Sequence, residues 1–125
     1  MQANTCVYKV PLNSIEKKHD TNIKWRKKVN NQLKKKYKKL FNKLDKLVYL
    51  KAPSFNHISK WRLHQEKRLK LTSKNKKEIM AKSEIREFIM YYERITKHMM
   101  KDFSKISDLT IFLDKSHRSK KMKFF

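Results

Sequence analysis

Leu47-Val48-Tyr49-Leu50-Lys51-Ala52-Pro53-Ser54-Phe55 is the stretch on which the fold turns. Its first four residues are an apolar run rich in strand formers. Pro53 closes the run, and Ser54 stands where it can cap a following helix. The stretch predicts a buried strand at about 47–51 that passes at once into a helix. A second apolar run, Leu109-Thr110-Ile111-Phe112-Leu113, follows Asp108 and predicts another short strand over 108–113. Two helical patterns lie between these runs. The first spans about 55–71, with Phe55, Ile58, Trp61, Gln65 and Leu69 roughly aligned. The second spans 83–104, capped by Ser83, with Glu84 and Glu87 in its first turn. Its stripe is Ile85, Phe88, Ile89, Tyr92, Ile95, Met99 and Phe103, with Met99 and Met100 filling gaps in the core. Two apolar strands separated by a helical crossover predict a parallel pair. Two strands alone do not make a covered parallel sheet, so the domain reads as incomplete.

Upstream, Asp20 or Thr21 is placed to cap a long helix over 21–46. Its stripe is Trp25, Val29, Leu33, Tyr37, Leu40, Phe41, Leu44 and Leu47, with Lys34, Lys35, Lys36, Lys38 and Lys39 on the remaining surface. The period of three and four residues predicts a core-facing helix, and a membrane-surface helix is the weaker reading. The segment 1–19 contains Pro11, shows no periodicity and reads as irregular. Residues 20–114 read as the folded region, 72–82 as a polar connection within it, and 115–125 as a frayed basic tail. The fold class expected from the residues is α/β and mostly helical, with about three helices and two short parallel strands.

Composition narrows the function. The chain has 125 residues and a formal charge of +23, with 34 Lys and Arg against 11 Asp and Glu. Only six of the cations are Arg, so an Arg marks a place where Lys, which lacks the planar fork, does not serve as well. Such charge invites a nucleic-acid or polyanion partner. The same bias, rich in Lys, Asn, Ile and Phe, also follows from AT-rich codons. Glycine is absent, so no Walker A loop, no GxGxxG and no GxSxG elbow exists here. The lone Cys6 forms no internal disulfide, and no apolar run reaches the length of a signal core or a membrane span. The expectation is a cytoplasmic protein with no membrane partner.

Candidate chemistry is sparse. His19, His57, His64, His98 and His117 are scattered, and no Cys or carboxylate completes a metal set, so no metal site is expected. Two clusters stand out. Trp61-Arg62-Leu63-His64-Gln65-Glu66 sets Arg62 beside an anchoring Trp, with an ion pair to Glu66 at i,i+4 as the plainer alternative. Tyr91-Tyr92-Glu93-Arg94-Ile95-Thr96 repeats the theme, with Arg94 beside Tyr91 and Tyr92 toward the core.

Several ordered segments together resemble a known family. They are Pro11-Leu12-Asn13-Ser14-Ile15-Glu16, Trp25-Arg26 with Val29-Asn30, Tyr37, Leu40-Phe41 and Leu44-Asp45. Ala52-Pro53-Ser54-Phe55, Trp61-Arg62-Leu63 with Gln65-Glu66, and Phe88 follow. Tyr92-Glu93-Arg94-Ile95-Thr96 with His98-Met99, and the run from Asp108 to Asp114, complete the set. From about residue 11 to 118 the chain resembles the C-terminal part of bacterial P-loop kinases similar to D-glycerate 3-kinase, in the phosphoribulokinase and uridine kinase-like class. The resemblance implies a partial P-loop kinase fold without its N-terminal phosphate-loop half: a C-terminal fragment, a late start or one half of a split gene. It implies ATP and Mg²⁺ as cofactors of the intact family, neither held tightly by this chain alone, and a small hydroxy acid as acceptor. It makes the helix at about 55–71 a lid, with Arg62 on ATP phosphate and Arg94 orienting the lid or the acceptor. No catalytic base is assigned. Partners expected are a phosphate-loop half in trans and, without specificity, polyanions. The alternative function is a basic nucleic-acid- or polyanion-binding protein.

Overall fold

The structure, a computed structural model, describes residues 11–72 and 80–125. Most of the connection expected over 72–82 lies outside the described residues, as does Cys6. The chain divides into two compact units, Met1–Leu47 and Val48–Phe125.

In the first unit the segment read as irregular holds a helix, α1 (Ser14–His19). Asn13 and Glu16 form a capping box. The Asn13 Oδ1 accepts from the Glu16 N–H at 3.0 Å, and the Glu16 carboxylate accepts from the Asn13 N–H at 3.1 Å. The N-x-x-E spacing is the local signal for this cap. The helix expected over 21–46 is shorter. It runs as α2 (Lys24–Gln32), a π-helical stretch over Leu33–Tyr37, and α3 (Lys38–Phe41). Asp20 caps it from outside. Its carboxylate accepts the backbone N–H groups of Trp25 at 2.7 Å and Arg26 at 3.1 Å, and the Arg26 Nε at 2.7 Å. This geometry sends Ile23, the residue just before α2, into the left-handed region at φ 65°. The π turn rotates the residues beyond it relative to an α-helical line. The stripe is not the core expected of it: Trp25, ahead of the π turn, and Tyr37, Leu40 and Leu44 are each about half exposed or more.

The second unit is built on β1 (Val48–Lys51), α4 (Phe55–Thr72), α5 (Lys82–Asp102), a 3₁₀ turn over Phe103–Lys105, β2 (Leu109–Leu113) and β3 (Ser119–Phe124). β1 and β2 are parallel, as the crossover predicts, with Tyr49 opposite Thr110 and Leu50 opposite Ile111. The tail expected to fray is instead β3, antiparallel to β2, so the sheet is mixed and three-stranded in the order β1-β2-β3. β1 is not buried on both faces. Tyr49 and, just beyond the strand, Ala52 are buried, while Val48 and Leu50 stay exposed. Tyr49 meets Phe103 edge to face at 5.7 Å, and burial raises its phenol above its ordinary value. Beside them Ser107 and Thr110, both shielded from solvent, bond hydroxyl to hydroxyl at 2.8 Å. On α5, Ile85 and Ile89 are buried as expected. Tyr92 is not core: it is exposed and leans on Phe88. Ser83 is not the cap either. The helix begins one residue earlier, and Glu84 accepts the Ala81 N–H at 2.6 Å.

Candidate functional site

The helix that follows β1 carries the first of the two Arg clusters. Among the described residues of α4 the buried side chain is Glu66, which none of the aligned apolar positions anticipates. A buried carboxylate requires a charged or donor partner, and Arg62 supplies it. Arg62 Nη2 lies 2.7 Å from Glu66 Oε1, and Nη1 donates to Gln65 Oε1 at 3.0 Å. The guanidinium also lies over the Phe88 ring on α5 at 5.7 Å. The plainer alternative raised by the sequence, the i,i+4 pair, is therefore present. It fixes where the Arg62 fork sits. Arg94 is half-buried on α5 and engaged there. In its cluster Glu93 pairs with Lys97.

The second feature was not legible locally. The β2–β3 turn folds back onto α4. Asp114 Oδ1 accepts the N–H groups of Ser116 at 2.8 Å and Arg118 at 2.9 Å, an Asx-type turn that tightens the corner. His117 sits at φ 65°, a conformation that His tolerates better than most residues. Its imidazole then stacks on Trp61, with centroids 4.1 Å apart and planes 15° from parallel. Trp61 Nε1 donates to the Lys115 carbonyl at 3.2 Å. Behind Trp61, the His57 Nδ1 and the Ser54 hydroxyl lie 2.7 Å apart, so this hydroxyl is occupied at the start of α4. The signal available in the sequence was the alternation Lys121-Met122-Lys123-Phe124 after Asp114, a strand pattern following a turn residue.

Together α4 and the turn enclose an open groove of about 1070 Å³. Its lining includes His57, Lys60, Arg62, His64 and Arg68 from one wall and Lys115 and His117 from the other, and among the described residues the lining contains no carboxylate. The groove favours an anion and offers rings as well as cations. Among the described residues no group of three or more His, Cys, Asp or Glu is placed to hold a metal ion, and no helix is long and apolar enough to cross a membrane. No protein-family model, no curated protein and no solved structure matches this chain.

Proposed function

We propose that this chain is the C-terminal part of an ATP-dependent kinase that transfers a phosphoryl group to a hydroxyl of a small hydroxy acid. The phosphate loop and the Mg²⁺ ligands come from a separate segment or chain. The observation that carries the reading is the parallel pairing of β1 with β2 around α4 and α5, with Ala52-Pro53-Ser54 leading straight from β1 into the Arg-bearing helix. In open α/β sheets ligands bind beyond the carboxyl ends of parallel strands. Both α4 and the 114–118 turn follow such ends. Arg62, set by Glu66 and Gln65, presents a charge-assisted donor of the kind that stabilises charge spreading over a transferring phosphoryl group. Arg94 orients the lid or the acceptor. With no glycine in these 125 residues, the nest of N–H donors that cradles β- and γ-phosphates does not readily form here.

The test is complementation. The purified chain is mixed with a folded strand–GxxxxGK[ST]–helix half from a kinase similar to D-glycerate 3-kinase, and D-glycerate phosphorylation is followed with ATP and Mg²⁺. Turnover is expected from the mixture and not from the chain alone. A mixture that associates without turnover, or turnover by the chain alone, overturns the reading.

A further inference from the structure

We propose that the groove between α4 and the 114–118 turn binds single-stranded nucleic acid. This goes beyond the kinase reading, because it rests on Lys60, Arg68, Lys115 and His117, which phosphoryl transfer leaves idle. The lining runs along α4 from His57 to Thr72, about 22 Å at the helical rise. Lys60 and Arg68 lie on that wall about 12 Å apart along the axis, and Lys115 stands on the other wall. The volume of about 1070 Å³ lies at the upper end of the range of small-ligand pockets, and the groove is open and elongated. A linear phosphate chain matches this length and charge.

The rings choose among polyanions. His117 is exposed, and its ring is held parallel to Trp61 by the stack and by the turn behind it. A pre-oriented ring beside cations is the arrangement on which an unstacked base sits while its phosphates are neutralised. A duplex has no free base face to offer. A lipid surface is flat, and this site is concave. An acidic peptide has carboxylates but needs no ring.

The experiment uses the full chain and a short fluorescein-labelled oligouridylate, with binding read by anisotropy and folding by circular dichroism. The groove variant is Lys60→Ala/Arg68→Ala/Lys115→Ala. The charge-matched control is Lys34→Ala/Lys35→Ala/Lys36→Ala, outside the groove. The groove variant is expected to bind on the order of tenfold more weakly, with a salt slope shallower by about 2, and the control to change less than about threefold. His117→Ala is expected to weaken oligouridylate binding by roughly tenfold and to leave inorganic polyphosphate unaffected. In a Trp25→Phe chain, the emission of Trp61 should change as the oligonucleotide binds. Equal losses in the two triple variants would show unspecific charge attraction and overturn the proposal. So would a duplex that binds as tightly as the single strand. An acidic peptide or polyphosphate that matches the oligonucleotide, His117 dependence included, would overturn it in favour of that ligand.

Discussion

His117 lies flat against Trp61, 4.1 Å from centroid to centroid, and this contact ties the β2–β3 turn to α4. The Trp61 indole also holds the Lys115 carbonyl, 54 positions away in sequence. Aromatic pairs contribute beyond the area they bury, and here one pair also stabilises a left-handed residue. Trp61→Ala is expected to destabilise the second unit by about 2 kcal/mol in urea unfolding. It should also release the turn, seen as the loss of the ring-current shift on the His117 protons. Trp61→Phe should keep part of both effects. An unchanged His117 spectrum in Trp61→Ala would show that the turn holds itself.

The Ser107–Thr110 hydroxyl pair allows a double-mutant cycle. Removing one partner leaves a buried hydroxyl without its bond, whereas removing both leaves none. Ser107→Ala and Thr110→Val are each expected to cost about 1–2 kcal/mol. The double variant should cost less than the sum, with a coupling energy of about 1 kcal/mol. Additive costs would mean that the bond contributes nothing net.

Asp20 predicts an acid-sensitive first unit. Burial alone would raise its carboxyl, but the Arg26 side chain and the backbone N–H groups of Trp25 and Arg26 outweigh burial and hold it below its ordinary value of 3.8. A depressed folded value stabilises above the ordinary value, and that contribution is lost as the pH falls through the folded one. Helix content at α2 should therefore hold at neutral pH and fall progressively below about pH 4. Asp20→Asn, which keeps the shape and removes the charge, should cost roughly 1–3 kcal/mol at pH 7 and flatten the acid profile. A profile of the same steepness in Asp20→Asn would place the acid sensitivity elsewhere.

Ile23 sits at φ 65°, and a β-branched side chain is poorly suited to that region. Ile23→Asn is expected to stabilise the first unit by about 1 kcal/mol, since Asn enters the left-handed region at lower cost. Thermal unfolding of the two chains decides this, and a lower midpoint for Ile23→Asn would mean that the packing of the Ile side chain outweighs the strain.

In the complemented kinase, Arg62→Lys should lower kcat by an amount equivalent to about 2–4 kcal/mol, because it keeps the charge but loses the planar fork and with it one charge-assisted contact to the transferring phosphate. Arg94→Lys should act mainly on the KM of the acceptor. Arg68→Lys should leave phosphoryl transfer near the level of the parent chain. Equal small effects at all three positions would mark them as ordinary arginines.

Local sequence determined much of the second unit. A β-rich run closed by Pro53 fixed β1, a matching run fixed β2, and the helical crossover between them implied their parallel sense. The periodic positions of α5 put Ile85 and Ile89 inside, as observed. Period and propensity act over a turn or two of chain, so they report elements and the faces within them. Tertiary structure alone decided the rest. The alternation of Lys with Met122 and Phe124 marks a strand, but only the tertiary structure decides that it pairs antiparallel with β2. Glu66 is the buried residue of α4 because Arg62, one turn away, neutralises it there. The stripe of the first unit has the right spacing for a core, but spacing creates no partner surface, and Trp25 and Leu40 stay exposed. The groove takes its second wall from the turn beyond β2, which meets α4 at Trp61, 54 positions from Lys115 in sequence. No periodicity within either segment encodes a contact of that range.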